Sequence, residues 1–248
     1  KKEVYITMRD GVKLFTSIYT PKDISKTKKL PFLMQRTCYS VAPYGETEFP
    51  RSLGPNKYLM NDEYIFVYQD VCGRYMSEGT FTNMTPQVER KSKKDVDEST
   101  DTYDTIDWLI KNIENNNKKV GQYGTSYPGF YTAAGILADH PSLVASSPQA
   151  PISDFWNDDF LHNGKFMMGY FRTFPVFGIQ KTKAEKDSWF MDTFIKPTSE
   201  DGLKFYRDMG TLKDGYEKYY KNNFFMTEIM NHPNYDEYWQ KRGLLPHL

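Results

Sequence analysis

Over its first 150 residues the chain is a succession of short apolar runs divided by turns. Residues 3–9 (EVYITMR) alternate apolar and polar positions, Asp10-Gly11 marks a turn, and residues 12–19 resume the alternation, which predicts two antiparallel strands. A basic loop over 22–29 leads to residues 31–36 (PFLMQR), and residues 64–69 (YIFVYQ) form a similar run; both read as buried strands. Residues 91–101 read as a solvated loop. In residues 101–111, Tyr103, Ile106, Trp108, Leu109 and Ile110 fall near helical spacing, with acids in the first turns. Residues 120–123 then predict a brief strand and 127–138 a buried helix of small residues. Two antiparallel strands followed by strand–helix alternation predict an α/β domain whose mostly parallel sheet is covered on both faces.

From about Pro151 that rhythm stops. The rest of the chain is rich in aromatic, Met and charged residues, and segments 200–208 and 214–221 predict amphipathic helices whose aromatic stripes pack helix on helix. The pattern divides the chain into an α/β part, 1–152, and a helical part, 153–248.

Composition narrows the function. With 39% hydrophobic and 26% charged residues the chain can bury a sizeable core. Lys+Arg and Asp+Glu balance at 32 each, so no basic excess exists to neutralise phosphates, and a nucleic-acid partner is not expected. No apolar run approaches the length of a membrane-spanning helix, and no membrane partner is expected. Two cysteines, Cys38 and Cys72, are too few for a disulfide scaffold or a four-cysteine zinc site; no metal and no organic cofactor is expected.

One segment carries chemistry. Gly124-Thr125-Ser126-Tyr127-Pro128-Gly129 lies between a predicted strand and a predicted helix. A nucleophile on such a tight turn has strained dihedrals and crowded neighbours, and glycines at 124 and 129 relieve that crowding. The turn also directs the first helical amides toward whatever Ser126 attacks. The spacing is G-x-S-x-x-G, one residue longer than the usual G-x-S-x-G elbow.

These residues resemble the X-Pro dipeptidyl-peptidase and cocaine esterase superfamily of α/β-hydrolases, whose nucleophile motif is Gly-x-Ser-Tyr-x-Gly. Arg36-Thr37-Cys38-Tyr39 is similar to that family's Arg-Thr-Pro-Tyr, and the segment from Asp70 to Gly79 to its Asp-Val-Arg-Gly-Arg-x-x-Ser-x-Gly loop. The segment from Pro151 to Gly164 resembles the start of a helical cap, in particular that of the α-amino acid ester hydrolases and glutaryl-7-aminocephalosporanic acid acylases. The resemblance implies the N-terminal half of an α/β-hydrolase sheet followed by a helical cap region, with the fold incomplete in this chain. It implies Ser126 as nucleophile, and an oxyanion hole from the Tyr39 hydroxyl and the Tyr127 backbone amide. It also implies a carboxylate for a substrate's α-ammonium group, matched by Asp159 or its neighbour Asp158, with Trp156 beside them. Neither family segment bearing the triad Asp and His has a counterpart here. His140 and His162 follow Ser126 too closely, and His232 and His247 have no later strand to supply the Asp. The remainder of a longer polypeptide is the expected partner; oligomeric state stays open.

In the resembled fold the strands before Cys38 and Cys72 are parallel neighbours roughly 4.8 Å apart. A disulfide needs Cα atoms about 4.4–6.8 Å apart, so Cys38–Cys72 is a candidate bridge. It would imply a periplasmic or secreted enzyme whose signal segment is gone. The leading functional reading is a serine hydrolase acting on a small-molecule ester or amide of an α-amino acid, or a β-lactam-type acyl compound. Its rivals are an X-Pro dipeptidyl-peptidase or cocaine-esterase-like esterase, and a non-catalytic binding module that kept the fold without the base.

Overall fold

Strands β1 (Lys2–Thr7), β2 (Lys13–Tyr19), β3 (Leu30–Thr37), β4 (Ile65–Asp70), β5 (Asn116–Thr125) and β6 (Leu143–Gln149) form one sheet in the order β1-β2-β4-β3-β5-β6. The computed structural model describes residues 1–22, 27–89, 92, 94–188, 190–196 and 201–248. The basic loop 22–29, the loop 91–101 and the expected helix 200–208 therefore lie partly outside the described residues.

The first hairpin is antiparallel, with Lys2 opposite Ile18, and β2 also runs antiparallel to β4. From β4 onward every pairing is parallel, as strand–helix alternation predicts. The strand β6, LVASSPQ, has no apolar run and was not expected. Its pairing with β5, Gly121 opposite Ala145 through Thr125 opposite Gln149, makes it a strand.

Helices α2 (Glu98–Asn112) and α3 (Tyr127–Ile136) cover one face of this sheet. Ile106 and Leu109 of α2 pack there against Phe32, Met34, Ile65, Val67 and Val120. On the other face, Leu33, Phe66 and Tyr19 are covered by Leu53, Leu59 and their loop, which contains the single-turn helix α1 (Lys57–Asn61). The expected double covering is therefore unequal among the described residues.

Helix α2 starts three residues before the expected Asp101. Asp97 caps it, accepting from the Ser99 and Thr100 amides, and Thr100 answers with a bond from the Asp97 amide to its hydroxyl. The expectation of a solvated loop fails at this end: Asp97, Glu98, Ser99 and Asp101 are buried. The cause is Arg36, itself buried on β3. Its guanidinium lies 3.0 Å from Glu98 Oε2 and 3.2 Å from Asp101 Oδ2, and donates to Gln69, Thr102 and the Glu98 carbonyl. A buried acid is tolerable where a guanidinium fork meets it.

Residues 153–248 are mainly helical. A short hairpin, β7 (Leu161–His162) with β8 (Lys165–Phe166), turns through Asn163 and Gly164, both at positive φ, as a two-residue Asn-Gly turn requires. Helices α4 (Pro175–Gly178), α5 (Gly202–Met209), α6 (Leu212–Tyr219), α7 (Phe224–Asn231) and α8 (Glu237–Gln240) follow. The helices expected over 200–208 and 214–221 correspond to α5 and α6. Their aromatic stripes do pack: Phe205 of α5 is buried, and its ring lies 6.3 Å from that of Tyr219 on α6. Residue 152 is not a break in packing, because one apolar cluster runs from Cys38 and Val71 through Tyr127 and Phe130 to Phe160, Phe225 and Trp239.

Candidate active site

Ser126 stands between β5 and α3 with φ 63° and ψ −124°, backbone angles that non-glycine residues adopt only when their surroundings impose them. Three constraints impose them here. The Ser126 amide donates to the Gln149 carbonyl of β6 at 3.0 Å, and the Phe130 amide donates to the Ser126 carbonyl at 3.0 Å. The crossing of β5 and α3 is also too close for side chains: a Cβ on Gly124 would stand 2.1 Å from the Pro128 carbonyl oxygen, and one on Gly129 would stand 2.6 Å from that of Gln149. A serine preceding a helix ordinarily turns its hydroxyl onto a first-turn amide. Ser126 makes no such cap and is exposed, so its hydroxyl is free for other chemistry.

The expected oxyanion tyrosine reaches this point. Tyr39 follows β3, its amide bonded to Thr37 Oγ1 at 2.9 Å, and its side chain lies beside that of Ser126, close enough for the two to interact. Burial pushes its phenol well above the ordinary value, with the Cys38 thiol adding to the effect, although the residue as a whole is 41% exposed. The phenol therefore stays protonated and able to donate at any physiological pH. Tyr127 opens α3, where first-turn amides have no carbonyl four residues earlier to bond. Its ring is fully buried, edge-on to Tyr39 at 6.3 Å, and its hydroxyl donates to Asn83 while accepting from the Met84 amide. The tyrosine after Ser126 thus anchors the helix through its side chain.

Asp159 is half-buried at φ 72° and accepts from the Tyr170 hydroxyl at 3.0 Å. Burial raises its pKa, partly offset by that hydrogen bond, and its charge in turn raises the Tyr39 phenol. Asp158 is exposed and its carboxylate accepts from the Asp159 amide, so of the two acids Asp159 is the more buried and the one whose charge reaches Tyr39. Tyr170, which no local pattern singles out among 19 tyrosines, is the partner that sequence reading missed. Trp156 is not brought to Ser126. Its indole packs on Tyr235 and Trp239 at 5.9 and 5.8 Å and covers Gly164, where a Cβ would meet it at 2.4 Å. That ring fills space under the Asn-Gly hairpin.

The Cys38–Cys72 bridge is absent: both thiols are free. Thr37 lies opposite Asp70, and the Val71 amide continues the ladder to the Thr37 carbonyl, so Cys38 is level with Val71 and Cys72 is one residue further on. Beyond Val71 the chain leaves β4 in a turn closed by the Arg74 amide on the Val71 carbonyl, so strand alternation ends there and Cys72 is carried away from Cys38. Cys38 joins Val71, Phe81 and Tyr127, whereas Cys72 packs toward Ile6, Met8 and Leu14. The sequence reading tied an extracytoplasmic location to this bridge, and that support goes with it.

None of the four histidines is held near the serine by a hydrogen bond. His140 lies beyond the far end of α3, about 15 Å along a ten-residue helix, and accepts from the Ser142 amide. His162 is exposed on β7. His232 bonds Asp236 at 2.6 Å and stacks on Tyr238, and His247 lies in the final helical turn.

A mostly parallel sheet whose fifth strand delivers a strained, uncapped serine to the mouth of a small-residue helix, faced by a tyrosine from the loop after β3, defines one part of an α/β-hydrolase fold. The chain belongs to the X-Pro dipeptidyl-peptidase (S15) family, whose model matches residues 10–248. It is similar to the solved structure of an α-amino acid ester hydrolase, at 33% identity and TM-score 0.82 over 98% of this chain. It is also similar to an aminopeptidase from the marine sediment archaeon Thaumarchaeota archaeon, at 31% identity and TM-score 0.81. The chain spans 39% of each of those two proteins. Cocaine esterase from Rhodococcus sp. is 28% identical over 156 residues, 62% of this chain and 24% of that relative.

Proposed function

We propose that this chain carries the nucleophile of a serine hydrolase that cleaves esters or amides of α-amino acids through an acyl-enzyme on Ser126. The observation that carries the reading is the strained, exposed Ser126, whose hydroxyl does not cap α3 and has the Tyr39 side chain beside it. In the reaction, Ser126 Oγ attacks the acyl carbon, and the Tyr39 hydroxyl and Tyr127 amide take up the charge on the carbonyl oxygen. A phenol suits this role because it donates one strong hydrogen bond without holding an anion at rest. The base that draws the proton from Ser126, and the acid group orienting it, come in this reading from residues outside these 248.

Asp159 supplies the preference for a free α-amino group. A half-buried carboxylate, held by Tyr170 and electrostatically coupled to Tyr39, suits pairing with an α-ammonium beside the scissile carbonyl. The two similar structures above 30% identity, an α-amino acid ester hydrolase and an aminopeptidase, both have names that specify such a group, which supports the preference over a plain esterase.

Fluorophosphonate labelling of the full-length protein, with Ser126→Ala as control, tests the nucleophile; absence of Ser126-dependent labelling favours a non-catalytic module. For specificity, an α-amino ester is compared with its desamino analogue. Asp159→Asn should raise KM for the amino ester by on the order of ten- to a hundredfold, the worth of a hydrogen bond to a charged group. The desamino ester should be unaffected; equal loss on both would remove Asp159 from recognition.

A further inference from the structure

The loop that presents Tyr39 is held by more than the burial of Val41 and the edge contact of Tyr44 with Phe15. On one side Ser40, Val41 and Ala42 line a cavity of about 400 Å³, together with Gln35, Tyr68 and Thr125. Ser40 sits at φ 92°, a conformation that a non-glycine residue keeps only under external constraint. The constraint is a set of hydrogen bonds that converge on one buried carboxylate, Asp70, at the end of β4.

Asp70 is completely buried. Its Oδ1 accepts from the Val41 amide at 3.1 Å, and its Oδ2 accepts from the Tyr44 hydroxyl at 2.9 Å and the Met76 amide at 3.3 Å. Tyr44, having given its proton to Asp70, accepts from the Ser40 hydroxyl at 2.9 Å, and Ser40 Oγ accepts in turn from the Ala42 amide at 3.0 Å. Ser40 is bonded directly to Tyr39, so the chain of donors ends at the residue that faces Ser126. The loop after β4 is fixed at the same point, since Ser77 Oγ donates to the Asp70 carbonyl and Lys181 Nζ to the Ser77 carbonyl. All three groups meeting the carboxylate are donors, which only an acceptor on both oxygens satisfies.

We propose that Asp70 is a positioning residue for catalysis: through Val41 and through Tyr44 and Ser40 it holds the Tyr39 loop so that the phenol stays aimed at the oxyanion. This rests on the reading of Ser126 as nucleophile and Tyr39 as oxyanion donor. Asp70→Asn keeps the shape but turns one acceptor into a donor that faces either Val41 or the Tyr44–Met76 pair. Tyr44→Phe removes only the relay hydroxyl and serves if the Asn variant fails to fold.

The test is a double-mutant cycle in the full-length enzyme, combining each variant with Tyr39→Phe. Loss of an oxyanion donor costs on the order of 10²-fold in kcat, which bounds the effect; Asp70→Asn should lower kcat by roughly tenfold with KM little changed. In the Tyr39→Phe background the same substitution should cost less than about twofold, because the group it positions is already gone. Full multiplication of the two losses, or an unchanged kcat in both Asp70→Asn and Tyr44→Phe, overturns the proposal. Hydrogen exchange separates this from the function itself. If the protein shows no Ser126-dependent turnover, faster exchange at residues 39–44 in the variants still supports Asp70 as the anchor of the loop, and unchanged exchange refutes it.

Discussion

The side chain of Tyr39 stands beside that of Ser126 although 87 positions separate them in the chain, one leaving β3 and the other leaving the neighbouring strand β5. Parallel neighbours end on the same side of a sheet, so the two loops emerge together, and the phenol faces the serine before any substrate arrives. Tyr39→Phe in the full-length enzyme should therefore lower kcat by on the order of 10²-fold with little change in KM. Steady-state kinetics on a small ester checks this, and an unaltered kcat would remove Tyr39 from the mechanism.

The elbow depends on the absence of a side chain at position 124. Gly124→Ala places a methyl 2.1 Å from a backbone carbonyl that cannot move without unwinding the start of α3. It should destabilise the fold by several kcal/mol, on the order of 4–5, at the severe end for a single substitution. Fluorophosphonate labelling should fall in parallel, since the same shift displaces Ser126. Urea denaturation monitored by tyrosine and tryptophan fluorescence gives the first quantity.

Two thiols per chain should titrate in denaturant without reductant. In the folded protein both should react slowly, because burial pushes Cys38 and Cys72 each up to about 12 and leaves little thiolate at neutral pH. A count near zero under denaturing conditions would mean that the two thiols are joined and that the turn after β4 takes a different path.

Arg36→Met should cost about 3–5 kcal/mol, because Glu98 and Asp101 would remain buried without a counter-charge. Adding Glu98→Gln and Asp101→Asn should recover part of that loss; thermal denaturation of the single and triple variants shows whether it does.

Burial also raises Asp70 to about 7, against an ordinary 3.8 in the unfolded chain. Between those values the folded protein keeps a proton that the unfolded chain has released. Stability from this group is therefore greatest at low pH, falls as pH rises from about 4 to 7, and is level above that. Asp70→Asn should flatten the decline of the urea midpoint between pH 5 and 7, and an unchanged slope would show that Asp70 titrates normally.

Strands β1 to β5, helices α2 and α3 and the reactive turn were legible in the sequence because each is written in local order: alternation, apolar runs, and glycines bracketing a serine between a strand and a helix. The rest was not local. β6 has no strand signal in LVASSPQ and exists because β5 offers it a partner. The acids of 97–101 look solvated until Arg36, more than 60 positions away, is brought under them. Asp159 is separated from Asp158 only by where Tyr170 and Tyr39 stand, and Trp156 is directed into packing by a glycine on the hairpin above it. The two cysteines show the reason most directly. Sequence places both just past neighbouring strands, but the turn that begins at Val71 carries Cys72 toward β1 and β2 while Cys38 stays beside Tyr127 and Phe130, and that divergence belongs to the tertiary path of the chain and to neither segment alone.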